Sequence, residues 1–221
     1  MRKVSVIIVA AGVGKRFGSA KQFALLRGKS VLERSLEAFA VHQEVDEIVL
    51  VLPAGEGGSR YRKCSPKVIA VVRGGERRQD SVVRGFTRLD SGPADIVLVH
   101  DGVRPLVSGD VITSVIAKAK QCGAAVAAVP VEDTVKEAAG GFVVRTLERE
   151  NLHRIQTPQA FARGVLEGAL RKAKEDGFYG TDEAALVERT GHPVAVVSGD
   201  RRNIKITTAA DLKIAEALLE D

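Results

Sequence analysis

Apolar residues recur along this chain in two alternating rhythms. Runs at 4–9, 47–52, 68–72, 96–99, 124–129 and 194–197 are rich in Val, Ile and Ala and lack the polar alternation of a half-exposed strand. They predict buried strands. Between them the period lengthens to that of a helix. Ser30-Val31-Leu32-Glu33 forms a capping box, and Leu32, Leu36, Phe39 and Ala40 then fall on one face. Val82, Val83, Phe86 and Leu89 mark a helix over 80–89, and Ser108 caps one that carries Val111, Val115 and Ala119. A short helix is expected at 60–65, and further helices at 161–175, after Thr181-Asp182-Glu183, and at 209–219. Strand, loop and helix in repetition predict an α/β fold. It is Rossmann-like, a mostly parallel twisted sheet with helices on both faces.

One segment breaks the rhythm. Residues 131–151 are polar, with Gly140-Gly141 at the centre and β-branched Thr134, Val135, Val143, Val144 and Thr146 on either side. That pattern predicts a β-hairpin long enough to leave the body of the domain. With no repeat, low-complexity tract or linker, the 221 residues read as a single domain with a protruding arm at about 131–151.

Charge and composition narrow the function. The net charge of +5 favours anionic ligands, but no block of cations occurs and aromatics make up only 4%, which argues against a nucleic-acid partner. Cys64 and Cys122 lack metal-ligand spacing and read as reduced thiols. Met1-Arg2-Lys3 and the apolar run after it resemble a minimal signal peptide, yet the run breaks into a cationic glycine loop and reads better as a buried first strand. No later run approaches a membrane span. A cytoplasmic protein without a membrane partner is expected.

The loop after that first strand is Ala10-Ala11-Gly12-Val13-Gly14-Lys15-Arg16-Phe17-Gly18. Gly12 and Gly14 let backbone N–H groups approach a ligand, and Lys15, Arg16 and then Lys21 add positive charge. This is an anion site, best suited to a polyphosphate. It is not the dinucleotide fingerprint, because Phe17 stands at the third glycine, and Pro53 ends the second strand where an acidic residue would hold the ribose. Nor is it a P-loop, since Arg16 replaces the Ser or Thr. Ligands of open parallel sheets bind beyond the strands' carboxyl ends, and the loops there, 73–81 and 100–105, are equally loaded. Asp101 is the carboxylate at the end of a central strand, able to bond a hydroxyl or to assist Mg²⁺ through water. His100, a single histidine at a strand end with no His or Cys partner, does not read as a metal ligand, and Arg77 and Arg78 read as solvated. No nucleophile–base arrangement emerges, which fits phosphate chemistry: a phosphomonoester is already an anionic nucleophile and needs positioning and charge neutralisation.

Taken together, these motifs resemble a family. Ala10-Ala11-Gly12-x-Gly14-x-Arg16 with Lys21-Gln22-Phe23 is similar to the opening of sugar-phosphate nucleotidyltransferases. Gly74-Gly75-x-x-Arg78-x-x-Ser81, His100-Asp101-x-x-Arg104-Pro105, Asp133-Thr134, Gln156-Thr157-Pro158-Gln159, Thr181-Asp182-Glu183 and Asn203-Ile204-Lys205-Ile206-Thr207 narrow the resemblance to the 2-C-methyl-D-erythritol 4-phosphate cytidylyltransferases. The resemblance implies CTP and a small polyol phosphate as substrates, with Mg²⁺ held mainly by the CTP phosphates. It implies catalytic roles for Arg16, Lys21 and Lys205. Ala10, Ala11, Gly12, Gly14, Gly75, Ser81, Asp101 and Gly102 would bind the nucleotide. Arg104, Thr134, Arg149, Thr157, Thr181 and Thr207 would bind the second substrate, Thr134 and Arg149 from an arm exchanged across a homodimer. A ribitol 5-phosphate cytidylyltransferase and a non-catalytic CTP sensor are the alternatives.

Overall fold

The structure, a computed structural model, describes residues 2–12, 17, 20–90, 92 and 95–219. Its centre is a seven-stranded sheet of β1 (Val4–Val9), β4 (Glu47–Leu52), β5 (Val68–Arg73), β6 (Ile96–Asp101), β7 (Ala124–Pro130), β10 (His153–Ala162) and β11 (Ala195–Ser198). Their order across the sheet is β11-β7-β10-β6-β1-β4-β5. All neighbours run parallel except β10, which is antiparallel to both β6 and β7. Two short strands, β2 (Leu25–Leu26) and β3 (Lys29–Ser30), form a separate ribbon.

Helices cover both faces, as the unbroken apolar strands require. On one face α1 (Val31–Ala40) and α4 (Gly109–Cys122) pack Leu32, Leu36, Phe39, Ile112 and Ile116 over Val4, Val6, Ile8 and Leu50. The short α2 (Ser59–Cys64) buries Tyr61 in the same layer. On the other face α3 (Arg78–Phe86), α5 (Arg163–Glu175) and α6 (Glu183–Glu188) set Val82, Phe86, Leu166, Leu170 and Leu186 against Ile7, Val49, Val97 and Phe161. A third cluster seats α7 (Ala209–Leu218) through Ala215 beside Leu26, Val31, Val103 and Ile206. The Ser30–Glu33 capping box and the Ser108 cap form as expected. Among the described residues no helix is long and apolar enough to cross a membrane.

Three expectations need correction. α3 starts two residues early, and its buried side is Ser81, Val82, Gly85 and Phe86; Val83 is 38% exposed. Gly85 lies on the buried side because a Cβ there would stand 2.6 Å from Ile7 Cγ2 on the sheet. Residues 161–162 belong to a strand, not to the helix that begins at Arg163. That strand, β10, was absent from the expected pattern. It tolerates Pro158 at the centre of a sheet because its register with β7 breaks between Ile155 and Gln159, lifting 156–158 out of the ladder.

The hairpin is present. β8 (Lys136–Ala139) and β9 (Phe142–Thr146) pair only with each other, through a turn in which Gly140 and Gly141 take φ of +58° and +86°. Such a turn needs left-handed backbone at both positions, which glycine supplies. Phe142 is 78% exposed, and Val143 and Val144 are exposed beside it.

Candidate active site

The chain leaves β1 for β4 and β5 on one side, then returns through β6 on the other, so a crevice opens beyond the carboxyl ends of β1 and β6. Register pairs Val9 with Asp101 there. The loops extend the ladder past the strands: Gly102 N–H donates to Val9 O at 2.9 Å, Ala10 N–H to Val51 O at 2.8 Å and Gly74 N–H to Leu52 O at 2.8 Å. Three backbone segments are thereby fixed side by side. Their glycines are steric necessities: a Cβ on Gly74 would overlap Ala11 Cβ, and one on Gly102 would stand 2.9 Å from Ala10 Cβ.

A cavity of about 210 Å³ lies against these segments, lined by Val9, Ala10, Ala11, Gly12, Lys21, Gln22, Gly75, Glu76, Arg77, Arg78, Ser81, Asp101, Val103 and Lys205. Buried Gln22 donates from Nε2 to Gly12 O at 3.1 Å, tying the glycine loop to the turn that carries Lys21. Ser81 Oγ accepts from Gly75 N–H at 3.0 Å and donates to Arg77 O at 3.1 Å, so it shapes the opposite lip. A second hollow of about 230 Å³ lies alongside, lined by Arg104, Val129, Arg154, Ile155, Gln156, Arg201, Asn203, Ile204 and Lys205. Lys205 lines both. Larger hollows beside α5 and beyond β4 and β5 contain no buried ionisable group.

Asp101 joins the charges. Its Oδ1 accepts from Arg78 Nε at 3.0 Å and its Oδ2 from Lys205 Nζ at 2.6 Å. Burial pushes this carboxyl up, but the charges of Arg78 and Lys205 outweigh it and hold Asp101 well below the usual carboxylate range. Arg78, expected to be solvated, is largely enclosed between Asp101 and Glu183. Its guanidinium is held charged: burial works against the charge, and the two carboxylates override it. Lys205 is delivered by docking of 203–206, where Ile206 N–H donates to Val103 O and Asn203 Nδ2 donates to Thr157 O, both at 2.9 Å.

The expected second-substrate residues divide. Arg104 lines the second hollow, donating from Nη1 to Asn203 O at 2.7 Å. Thr157 is buried, and its hydroxyl is engaged internally, accepting from Asp101 N–H at 3.0 Å and bonding His100 Nδ1 at 3.2 Å. Thr207 donates to Lys205 O at 3.2 Å. Exposed Thr181 and the arm residues Thr134 and Arg149 line neither hollow, and Arg149 donates to Glu132 O. Gly14 and Arg16, with Lys15, lie outside the described residues.

The family model for 2-C-methyl-D-erythritol 4-phosphate cytidylyltransferase (IspD) matches residues 4–221. The chain belongs to this cytidylyltransferase family. A member from Symbiobacterium thermophilum is 47% identical over 221 residues, covering 99% of this chain and 93% of the relative. One from Geobacter metallireducens is 43% identical, covering 99% and 98%. The crystal structure of the Thermus thermophilus cytidylyltransferase superposes with a TM-score of 0.82 at 38% identity, over 99% of this chain and all of that one.

Among the described residues no three His, Cys, Asp or Glu side chains converge where a cation could sit, and without substrate both oxygens of Asp101 pair with cationic side chains. His100 is no general base either. Burial pushes its imidazole down to about 3; neutral, it donates from Nε2 to Arg104 O at 3.2 Å and accepts the Thr157 hydroxyl at Nδ1. The unfolded chain binds this proton near pH 6.5 and the folded chain only near 3, so stability rises with pH across that window and is lost on acidification. We expect His100 to cost roughly 1.5 kcal/mol between pH 6.5 and 5, the slope rising from about 0.7 towards about 1.4 kcal/mol per pH unit as the unfolded imidazole becomes fully protonated. Urea unfolding of the wild type and His100→Asn at both pH values checks this; equal pH slopes would contradict it.

Proposed function

We propose that this chain transfers the cytidylyl group of CTP to 2-C-methyl-D-erythritol 4-phosphate, giving 4-diphosphocytidyl-2-C-methyl-D-erythritol and pyrophosphate, in the non-mevalonate route to isoprenoid precursors. Family membership over residues 4–221 supports the substrates. The observation that carries the chemistry is the position of Lys205 between two hollows, one lined by the glycine-loop backbone and one by Arg104, Arg154 and Arg201. CTP occupies the first, with cytosine against the backbone of Ala10, Ala11 and Gly75, and the polyol phosphate occupies the second. A phosphate oxygen of the polyol phosphate attacks the CTP α-phosphorus in line. The bond from that phosphorus to the β-phosphate oxygen breaks, and pyrophosphate leaves with the electron pair. No proton has to be removed, in keeping with a site whose histidine is buried and neutral. Lys21, Lys205 and Arg16 neutralise the charge gathering on the α-phosphate. Bound to the triphosphate of CTP, a divalent cation would add positive charge to that of these side chains.

The arm belongs to the same reading. An apolar strand exposed at Phe142, Val143 and Val144 suits burial against a second copy of the chain, and Thr134 and Arg149 lie outside both hollows of their own chain. In the homodimer they reach the second copy's polyol phosphate. Arg149→Ala should raise the KM for that substrate roughly 10-fold, the scale of one lost charged hydrogen bond, and leave the KM for CTP unchanged. An unchanged polyol phosphate KM removes the arm from the site. CTP and phosphorylated polyols are cytoplasmic metabolites, and the protein acts there.

Pyrophosphate release with CTP, Mg²⁺ and either methylerythritol 4-phosphate or ribitol 5-phosphate tests the assignment. Preference for the first is expected. Preference for the second would keep the nucleotide site and replace the acceptor, and silence with both despite CTP binding would make the protein a sensor.

A further inference from the structure

Glu183 lines neither hollow, yet it is tied to the reacting groups through a chain of alternating charge. Both of its carboxylate oxygens accept from Arg78 Nη1 at 2.7 Å. Arg78 Nε holds Asp101 Oδ1, and Asp101 Oδ2 holds Lys205. Glu183 is 1% exposed, on an element far along the chain from α3. A carboxylate so buried is a poor device for stability, because its desolvation offsets most of what the pair returns. It is a good device for holding a guanidinium in one plane. The planar fork of arginine spans two carboxylates at once, which the single ammonium of a lysine does not.

The anchor is itself rigid. Gln159 on β10 accepts from Ala184 N–H at 3.1 Å and donates to Asp182 Oδ2 at 2.7 Å, fixing the start of α6. Gln79, next to Arg78, accepts from Gly180 N–H at 3.1 Å and donates to Phe178 O at 3.2 Å. Glu183 is therefore a fixed reference against which Arg78 is set.

We propose that Glu183 is a positioning residue for nucleotidyl transfer, acting through Arg78 to hold Asp101 in place while Lys205 moves from Asp101 to the substrate phosphates. The proposal rests on the function given above. In the free protein Arg78 and Lys205 balance Asp101 and Glu183. When an anionic substrate arrives, Lys205 can leave Asp101 without stranding a buried carboxylate, because Arg78 stays. Remove Glu183 and Arg78 is also drawn towards the phosphates; Asp101 then retains Lys205, and the ammonium is withheld from the transition state.

A double-mutant cycle on kcat tests this link. Glu183→Gln should lower kcat roughly 10- to 100-fold, the scale of a misplaced catalytic group, with both KM values within about 3-fold. In an Arg78→Met background the same change should alter kcat less than about 2-fold. Arg78→Lys, which keeps the charge and loses the fork, should resemble Glu183→Gln rather than the wild type. Additive effects, or near-wild-type kcat in folded Glu183→Gln, would overturn the proposal. A variant whose melting temperature falls while kcat per folded molecule is kept would also overturn it, leaving Glu183 a purely structural role. If Glu183→Gln does not fold, Arg78→Lys decides, and kcat within about 2-fold of wild type refutes the link. Wild-type silence with methylerythritol phosphate would instead reject the underlying function.

Discussion

Lys205→Ala is expected to lower the turnover of CTP with methylerythritol phosphate by roughly 10²- to 10³-fold, the scale of one lost transition-state charge contact. Its ammonium is the one among the described side chains that lines both hollows, where the proposed function puts CTP and the polyol phosphate. In the free protein it is held by Asp101 at 2.6 Å and is still 41% exposed, which keeps the cost of moving it to a phosphate oxygen small. The variant should fold normally. Removing the lysine leaves Asp101 paired with Arg78, and the docking of 203–206 depends on Ile206 N–H and on Asn203, not on the lysine side chain. The check is a steady-state pyrophosphate assay beside a melting curve. Near-normal kcat in a folded Lys205→Ala protein would remove Lys205 from the chemistry and with it the meeting point of the two hollows. Lys21→Ala, a change in the first hollow only, should also cost at least about 10²-fold, the scale of one lost transition-state charge contact.

Asp101→Asn should destabilise the fold by about 3 kcal/mol, near the lower end of the cost of removing one partner from a buried ion pair. The substitution keeps shape and volume, so no cavity contributes. What changes is chemistry: one acceptor oxygen becomes an N–H₂ donor facing either Arg78 or Lys205, and the negative charge between them is gone. Glu183 still compensates Arg78, and Lys205 regains water, which keeps the loss from being larger. Because Asp101 is held ionised well below the usual carboxylate range, its contribution is fully present above about pH 4, the ordinary value for an aspartate. It is lost as acid brings the pH down through the depressed folded-state value. The wild-type advantage over the variant should therefore be constant from pH 5 to 8 in denaturant unfolding. Equal stability of the two proteins at pH 7 would show that the Arg78–Asp101–Lys205 chain carries no folding energy.

Much of this was legible in the chain, for definite reasons. Strands such as 4–9 and 47–52 are buried on both faces, so their apolar runs are continuous, and their helices carry side-chain caps at Ser30 and Ser108. The hairpin announced itself through Gly140-Gly141, where the turn demands positive φ. What stayed hidden depended on tertiary pairing. β10 opens in polar residues with a proline, His153-Arg154-Ile155-Gln156-Thr157-Pro158; this half is a strand only because β7 pairs with 153–155 and because Gln156 and Thr157 find partners at Asp200 and Asp101, far off in sequence. Arg78 looked like one cation in a solvated run; its partners, Asp101 and Glu183, are distant in sequence. A signal was nonetheless there: Gly74-Gly75-x-x-Arg78-x-x-Ser81 puts the arginine at the start of the helix whose serine braces the glycine turn. Nor did the sequence show that the Thr157 hydroxyl, assigned to the second substrate by the resemblance, bonds the backbone of Asp101 and the ring of His100.

The central claim is that the phosphate of the polyol attacks the CTP α-phosphorus directly within this cation-lined crevice. Methylerythritol 4-phosphate labelled with ¹⁸O in its non-ester phosphate oxygens, turned over with CTP and followed by ³¹P NMR, tests it most directly. All of the label should be retained in the diphosphocytidyl product, including the oxygen bridging its two phosphorus atoms, and pyrophosphate should be unlabelled. An unlabelled bridge, or label in pyrophosphate, would contradict it.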